Sequence, residues 1–356
     1  MWLLERLRPD FKSIANFRKG NGKGIKNVCR KFVALCRQLN MFDDSVFAID
    51  GSKFKAVNNK SKNYTPSKVQ FHIDRVEKSI KKYLSQLDTK DRDEKNTDTT
   101  VSASKLAWLE ARLMQTHHME RRVCYNVQSA VDTKHHLIVE HDVSMTVDRG
   151  QLTSVAAQVQ NPLGKKNITI IADKGYVSRI DIKATQDLGM AANVPQTDTS
   201  ATAKKGIFNK SLFKYDKNKD TYTCPAGEEL PHRSKETRDG LEQKVYVNHI
   251  ACRDCTMRIK YTKSLKGPRK MRRWVHEEVI DAMQQRLDEN PEITILRKQT
   301  VEDPFGTIKM WMGAQHFLMK RKKNVSIEMS LHVLAYNLKR MMTIMGTTEL
   351  MEAIRK

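Results

Sequence analysis

Apolar positions along the chain fall into two spacings, and each spacing predicts a different element. Near the N-terminus, Val28, Phe32, Leu35, Cys36 and Leu39 recur three and four residues apart, one face of a helix, after a glycine-broken turn over 17–24. Val46, Phe47, Ala48 and Ile49 then form a short continuous apolar run, the mark of a buried strand, and the run ends on Asp50-Gly51. Over 67–87, Val69, Ile73, Val76, Ile80 and Leu84 line one face of a charged helix, whereas 88–104 is almost wholly polar and reads as a linker. Residues 125–132 alternate as a strand, and a turn at 133–135 leads to a second strand over 136–140, so a hairpin is expected. Asp148 stands where a helix N-cap would, ahead of Leu152, Val155, Ala156 and Val159. A second buried-type strand over 167–172 also ends on an aspartate, Asp173.

The character of the chain changes over 200–270, which is polar, short-stranded and lysine-rich and holds Cys224, Cys252 and Cys255. It reads as an insertion. Helices return over 277–287 and 300–309, and a last one over 326–345 carries Leu331, Leu334, Leu338, Met341 and Met345 as its stripe. The order of strand, hairpin, helix, strand, insertion and helices predicts an α/β domain with a mixed sheet. Four regions follow: a helical segment at 1–44, a first catalytic part at 45–198 containing the 88–104 linker, a cysteine-containing insertion at 199–275, and a helical part at 276–356.

Charge narrows the class of partner. Lys and Arg number 64 against 41 Asp and Glu, a net charge of +23. Such a surface attracts a polyanion, of which nucleic acid is the usual one. Charge alone serves equally a solvated basic surface or a ribosome-like binder. The most apolar segment, 331–345, is broken by His332, Asn337, Lys339 and Arg340, so no membrane span is expected. Met1 to Leu4 is followed at once by Glu5 and Arg6, too short a run for a signal peptide. Six scattered cysteines do not make a secreted disulfide framework, which points to a protein of the reducing cytoplasm.

The two strand-end aspartates carry the chemistry. In α/β sheets ligands bind at strand ends, and Asp50 and Asp173 side by side would repel unless a cation lay between them. Oxygen ligands suit Mg²⁺ or Mn²⁺, and two such ions can stabilise both the attacking and the leaving oxygen of an in-line displacement at phosphorus. That chemistry calls for a third carboxylate. Glu302 lies seven residues before Lys309, so in a helix both would share a face, the lysine gripping phosphate. Pro304 and Gly306 weaken that helix. Taken singly, each carboxylate is as well explained as a turn residue or a helix cap.

Six blocks occur in order: Asp50-Gly51-Ser52-Lys53-Phe54-Lys55-Ala56, Tyr125-Asn126-Val127-Gln128, Ala172-Asp173-Lys174-Gly175-Tyr176, Val301-Glu302-Asp303-Pro304-Phe305-Gly306-Thr307-Ile308-Lys309, Gly313-Ala314-Gln315-His316-Phe317 and Leu334-Ala335-Tyr336-Asn337-Leu338-Lys339-Arg340. Together they resemble the bacterial insertion-sequence transposases of the IS1182 group, within the IS4/IS5-like DDE class. The resemblance implies an RNase H-like mixed sheet with flanking helices and a β-rich insertion between the second Asp and the Glu. It implies Asp50, Asp173 and Glu302 as catalytic residues that hold Mg²⁺ or Mn²⁺, two ions in all. It implies DNA cleavage and strand transfer at terminal inverted repeats and target DNA, by a homo-oligomer when bound to DNA. Lys53, Lys55, Lys174, Arg297, Lys298 and Lys309 are the candidate DNA contacts.

The chain departs from that pattern in places. The class has a tyrosine and an arginine seven and four residues before the glutamate, where this chain has Ile295 and Lys298, with Arg297 one position away. Asp303 puts a further acid beside Glu302. Relatives carry an N-terminal DNA-binding region ahead of the Pro9 block that this chain is expected to lack. Cys224, Cys252 and Cys255 resemble part of a zinc ribbon whose fourth cysteine is here Tyr261; His232 or His249 would complete a Cys₃His set, and decayed free thiols are the alternative. The adjacent pairs His117-His118 and His135-His136 face different ways and make poor ligand sets. Two other functions share these features: a truncated, non-catalytic DNA-binding remnant, and an RNase H-like nuclease.

Overall fold

The structure, a computed structural model, describes residues 10–42, 45–57, 70–71, 74–75, 77–78, 111–115, 121–163, 167–196, 208–261 and 267–355. Of the helix expected over 67–87 only those scattered residues are described, and they are helical. The start of the chain through Pro9, the 88–104 linker and His117-His118 lie outside the described residues. The chain divides into two compact units, one built from Met1–Val194 with Asn290–Lys356, the other from Pro195–Glu289.

The first unit opens with helices α1 (Phe11–Gly20) and α2 (Gly22–Gln38), separated at Asn21. Ile25, Phe32, Val33 and Cys36 are the buried face of α2, while Val28 is exposed, so the stripe is rotated from the one the spacing suggested. There follow β1 (Val46–Lys55), β2 (Arg112–Gln115), β3 (Arg121–Asp132), β4 (Ile138–Ser144), α3 (Leu152–Leu163), β5 (Thr169–Ala172), α4 (Arg179–Asp187) and β6 (Ala191–Asn193). They form one mixed sheet. β3 lies antiparallel to β1 on one side and to β2 and β4 on the other, while β1, β5 and β6 run parallel. The hairpin is where the alternation put it. Asp132 closes its turn by accepting from the Lys134 and His135 amides, and its second strand starts at Ile138 rather than at residue 136.

The second unit carries an antiparallel sheet of β7 (Lys214–Asp216), β8 (Thr221–Thr223), β9 (Glu229–Arg238), β10 (Leu241–Tyr246) and β11 (Met271–Trp274). Short helices α5 (His249–Arg253) and α6 (Arg258–Tyr261) precede β11, and α7 (Glu277–Glu289) follows it. Its small core is aromatic: Phe213, Tyr222, Tyr246 and Tyr261 pack with Leu230 and Met271. Asp220 takes hydrogen bonds from the Tyr215 and Tyr246 hydroxyls, both at 2.7 Å, so these phenols bury their rings with their polar ends paired.

The chain then returns to the first unit with α8 (Ile293–Gly306), a π-helical segment over Thr307–Trp311, α9 (Lys322–Met345) and α10 (Thr347–Arg355). The helix expected over 300–309 thus begins earlier and runs through Pro304. Val301, Phe305 and Ile308 are buried against Ala48, Phe54, Tyr125 and Val127 of the sheet, and that packing outweighs the proline's local penalty. Phe54 contacts Phe305 and Phe317 at ring separations of 6.1 and 5.5 Å. On α9, the Asn337 amide accepts from the Ile138 N–H and donates to its C=O, closing part of the β4 edge. Among the described residues no helix is long and apolar enough to cross a membrane.

Candidate active site

β1 does not stop at Asp50. It continues to Lys55, held antiparallel to β3 along its length, whereas its parallel partner β5 ends at Ala172, opposite Ile49. The expected strand end at Asp50 is therefore a point where one neighbour leaves, and the chain leaving is the one that carries Asp173. Asp50 remains on β1, and Asp173 is the first residue beyond β5, just past the last paired step of the parallel ladder. Each has one oxygen held locally: Asp50 Oδ1 accepts from the Gly51 N–H at 2.8 Å, and Asp173 Oδ1 from the Gly175 N–H at 2.6 Å. Asp173 thereby caps the single turn Lys174–Tyr176.

Asp50 is substantially desolvated, its side chain 25% exposed. Burial raises its pKa to about 6; the Arg297 guanidinium and the Gly51 N–H oppose the rise, and the Asp173 and Asp148 carboxylates add to it. Arg297 comes from α8, with Nη1 at 3.6 Å from Asp50 Oδ2. The helix that carries Glu302 is thus tied to the aspartate pair through Arg297. Glu302 itself stands on the exposed side of α8, 65% accessible and 4.0 Å from the equally exposed Lys298. The structure brings Asp50, Asp173 and Arg297 together and leaves Glu302 and Lys298 facing solvent. Among the described residues no three His, Cys, Asp or Glu side chains are gathered closely enough to hold a metal ion.

Lys309 does not share the face of Glu302. The π-helical geometry from Thr307 changes the angular step per residue, so a seven-residue spacing no longer returns to the same face. Its ammonium donates to Ser52 Oγ at 2.6 Å and to the Lys53 carbonyl at 3.1 Å and lies over the Phe54 ring, and burial lowers its pKa. Lys53 is half-buried; Lys55 and Lys174 are exposed. Asp303 turns from Glu302 towards His136 at 3.3 Å and Arg340 at 3.6 Å.

One acidic residue has a place that the sequence did not suggest. Asp148 is not the cap of α3: its side chain crosses to β3, where Oδ1 accepts from Asn126 Nδ2 at 2.8 Å and Gln128 Nε2 at 2.9 Å. Asn126 and Gln128 are fully buried, and the Tyr176 hydroxyl donates to Gln128 Oε1. Burial and the carboxylates of Asp148, Asp50 and Asp173 all raise the Tyr176 pKa, so this ring lies within electrostatic reach of all three acids. Gly51 is required here by close approach, since a Cβ on it would stand 2.0 Å from Asp148 Oδ1 and 2.4 Å from Gln128 Nε2. The available signal was two amides two residues apart, each between apolar or small neighbours in the strand.

Mg²⁺ and Mn²⁺ commonly take only one or two protein carboxylates and complete their shell with water and substrate phosphate. Desolvated Asp50 beside Asp173, with carboxylates rather than thiols or imidazoles at hand, fits such an ion. The cysteines of the second unit fit zinc less well. Burial, and then Cys224 and Cys255, raise the Cys252 pKa, and the same two thiols lie beside Tyr261, so the four side chains share one neighbourhood. His232 packs on the Tyr246 ring at 5.6 Å. Three thiols and a phenol do not make the closed thiolate–imidazole set of a structural zinc site.

Residues 223–342 match the family model of the transposase DDE domain, a match that supports a DDE transposase and points to a DNA-processing enzyme. The matched segment includes Glu302 and Lys309 and begins after Asp50 and Asp173. No curated protein and no solved structure matches the chain.

Proposed function

We propose that this chain is an insertion-sequence transposase of the IS1182 group that performs metal-dependent cleavage and strand transfer on double-stranded DNA, with Asp50, Asp173 and Glu302 as its acidic residues. The observation that carries the proposal is the Asp50–Asp173 pair at the end of the parallel β1–β5 ladder, with Asp50 desolvated and linked through Arg297 to the Glu302 helix. A mixed sheet in which β3 pairs antiparallel with β1, β2 and β4, while β5 and β6 run parallel to β1, supports an RNase H-like reading of the fold. A pair of Mg²⁺ or Mn²⁺ ions bound there would stabilise the attacking and leaving oxygens of an in-line phosphoryl transfer.

The chain's own residues have separate tasks in this reading. Asp50 and Asp173 would hold the cations, and Asp50 would have to be ionised to do so. Arg297 keeps α8 against the pair, and Glu302 joins it when DNA is bound. Exposed Lys55, Lys174 and Lys298 contact phosphates and position the duplex. Lys309 fixes the β1 backbone next to Asp50. The reaction needs no covalent protein intermediate, because positioning and electrostatics supply the catalysis.

The test uses labelled DNA carrying the element's terminal repeats, incubated with purified protein and Mn²⁺ or Mg²⁺. Nicking and joining are expected, and Asp50→Asn, Asp173→Asn and Glu302→Gln should each abolish both while DNA binding survives. Binding without any cleavage by the parent chain would establish the non-catalytic remnant instead. Cleavage that persists in Glu302→Gln would remove Glu302 from the triad.

A further inference from the structure

We propose that Trp311 is a base-stacking residue that packs against an unpaired base of bound DNA next to the cleft. The proposal rests on the DNA-processing reading above and gives a task to a residue outside the acidic set and its lysines.

Three observations carry it. The first is that local geometry turns Trp311 away from the core. Val301, Phe305 and Ile308 form the buried stripe of α8 and of the segment that follows it. In a regular α-helix the residues three and four beyond Ile308 would share its face, so Trp311 and Met312 would both turn inward. Met312 does pack against the core, but Trp311 is 84% exposed and Met310 71%. The cause is the π-helical turn, closed by the Met312 N–H on the Thr307 carbonyl at 3.0 Å, which adds a residue to the turn and rotates Trp311 outward. Among the described residues Trp311 is the most exposed large hydrophobic side chain. Such exposure forgoes a large burial gain, and a surface indole marks a place of contact.

The second is its place and its rigidity. Lys309, two residues earlier, bonds Ser52 and Lys53 on the strand segment that follows Asp50. Beyond Trp311 the chain is tied to the same strand: the Lys55 N–H donates to the Gln315 carbonyl at 3.4 Å, and the Phe317 N–H to the Lys55 carbonyl at 2.9 Å. Ala314 and Phe317 are buried there. Met310 and Trp311 thus project between two anchors on β1, a platform with little conformational freedom to lose on binding.

The third is charge. Between Asp303 and Glu328 the chain has no acidic residue, and it has Lys309, Lys320, Arg321, Lys322 and Lys323. An aromatic face among cations is the combination that holds unpaired nucleotides: the cations follow the phosphates and the ring stacks on a base. In an intact duplex each base face is covered by its neighbours. An indole finds a free face only where a base is out of the stack, as at a frayed end or beside a nick.

The test is DNA binding by the full chain without divalent metal, so that no strand is cut. Two DNAs are compared by fluorescence anisotropy: a blunt duplex, and the same duplex with an unpaired extension that carries 2-aminopurine. The parent should bind the extended DNA about tenfold or more tightly than the blunt one, and quench the 2-aminopurine. Trp311→Ala should lose the preference and the quenching, with blunt-duplex affinity and melting temperature near the parent's, because so exposed a side chain supports little of the fold. Trp311→Phe should keep most of both. Equal affinity of the parent for the two DNAs, or a Trp311→Ala protein that keeps preference and quenching, would overturn the role of Trp311 and leave the DNA reading standing. A parent that binds neither DNA would overturn both. Trp311-dependent binding to phosphatidylserine vesicles, or Trp311-dependent dimers in sedimentation velocity, with no difference between the two DNAs, would assign this surface to a membrane or to a second copy of the chain instead.

Discussion

Replacing Gly51 by alanine tests the packing of the cleft directly. The new Cβ would stand 2.0 Å from Asp148 Oδ1, 2.4 Å from Gln128 Nε2 and 3.0 Å from Asn126 Oδ1. An ordinary contact begins at 3.4 Å, so the carboxylate has to retreat by more than an ångström. The strands cannot do the yielding, because β1 and β3 are paired from Phe47 to Lys55. Asp148, in the connection between β4 and α3, moves instead, and a retreat of that size breaks its bonds of 2.8 and 2.9 Å. Hydrogen bonds to a charged acceptor contribute about 1.5–3 kcal/mol each, and the buried Gln128 amide is left without its acceptor. Allowing for partial rearrangement, the loss is roughly 2–4 kcal/mol, or a melting temperature lower by roughly 5–15 °C for a unit of this size. Gly24→Ala is the control. It lies in α2 with nothing within 4 Å of its Cβ position and should stabilise by about 0.5–1 kcal/mol. Differential scanning calorimetry of the three proteins decides the matter. A Gly51→Ala protein that melts within about 2 °C of the parent, on the same scale, would refute the account of how Asp148 is held.

Two further expectations follow from the charges. The folded pKa of Asp50, about 6, lies above its ordinary value of 3.8, so the neutral form is favoured by folding and stability is lost as pH rises through that window. In chelator-treated protein, the parent should lose roughly 2–3 kcal/mol relative to Asp50→Asn between pH 4 and pH 7; a flat difference over that range would count against the desolvation of Asp50. Exposed Lys298 and half-buried Lys309 should behave differently on DNA. Lys298→Ala should reduce the slope of log affinity against log salt by about 0.9 for its one phosphate contact. Lys309→Met should leave the slope unchanged and lower stability by about 1–3 kcal/mol through the lost bonds to Ser52 and Lys53, and a reduced slope would mean that Lys309 reaches DNA after all.

Much of this arrangement is readable from local pattern, and the unreadable parts share a cause. The runs 47–49 and 170–172 are apolar because they are buried, so both were recognisable as strands, and the aspartates at their ends follow directly. The polar continuation of β1 from Asp50 to Lys55 looks like a turn in isolation; it stays extended because β3 pairs with it and because Lys55 also bonds Gln315 and Phe317. Pro304 and Gly306 argue locally against a helix, and the buried Val301, Phe305 and Ile308 override them. The π segment that sends Lys309 to β1 has no counterpart in a constant helical period. Asp148 reads as a cap for the same reason, since its partners lie 20 and 22 residues away on another strand. Legibility ends where a side chain's role depends on a distant partner.

The interruption of the first unit by the second also sets the order in which a ribosome can deliver the protein. The strand that leads into Asp173 is complete at Ala172, yet among the described residues the apolar face formed by Ala48, Phe54, Tyr125 and Val127 is covered by a segment that runs from Val301 to Tyr336. At about 5–20 residues per second, that face waits roughly ten to thirty seconds for its cover. The helix bearing Arg297 and Glu302 emerges in the same late portion, after the whole Pro195–Glu289 unit. A nascent chain thus holds its two aspartates long before it holds a cleft, and the unfinished sheet is the stretch most exposed to mispairing during synthesis.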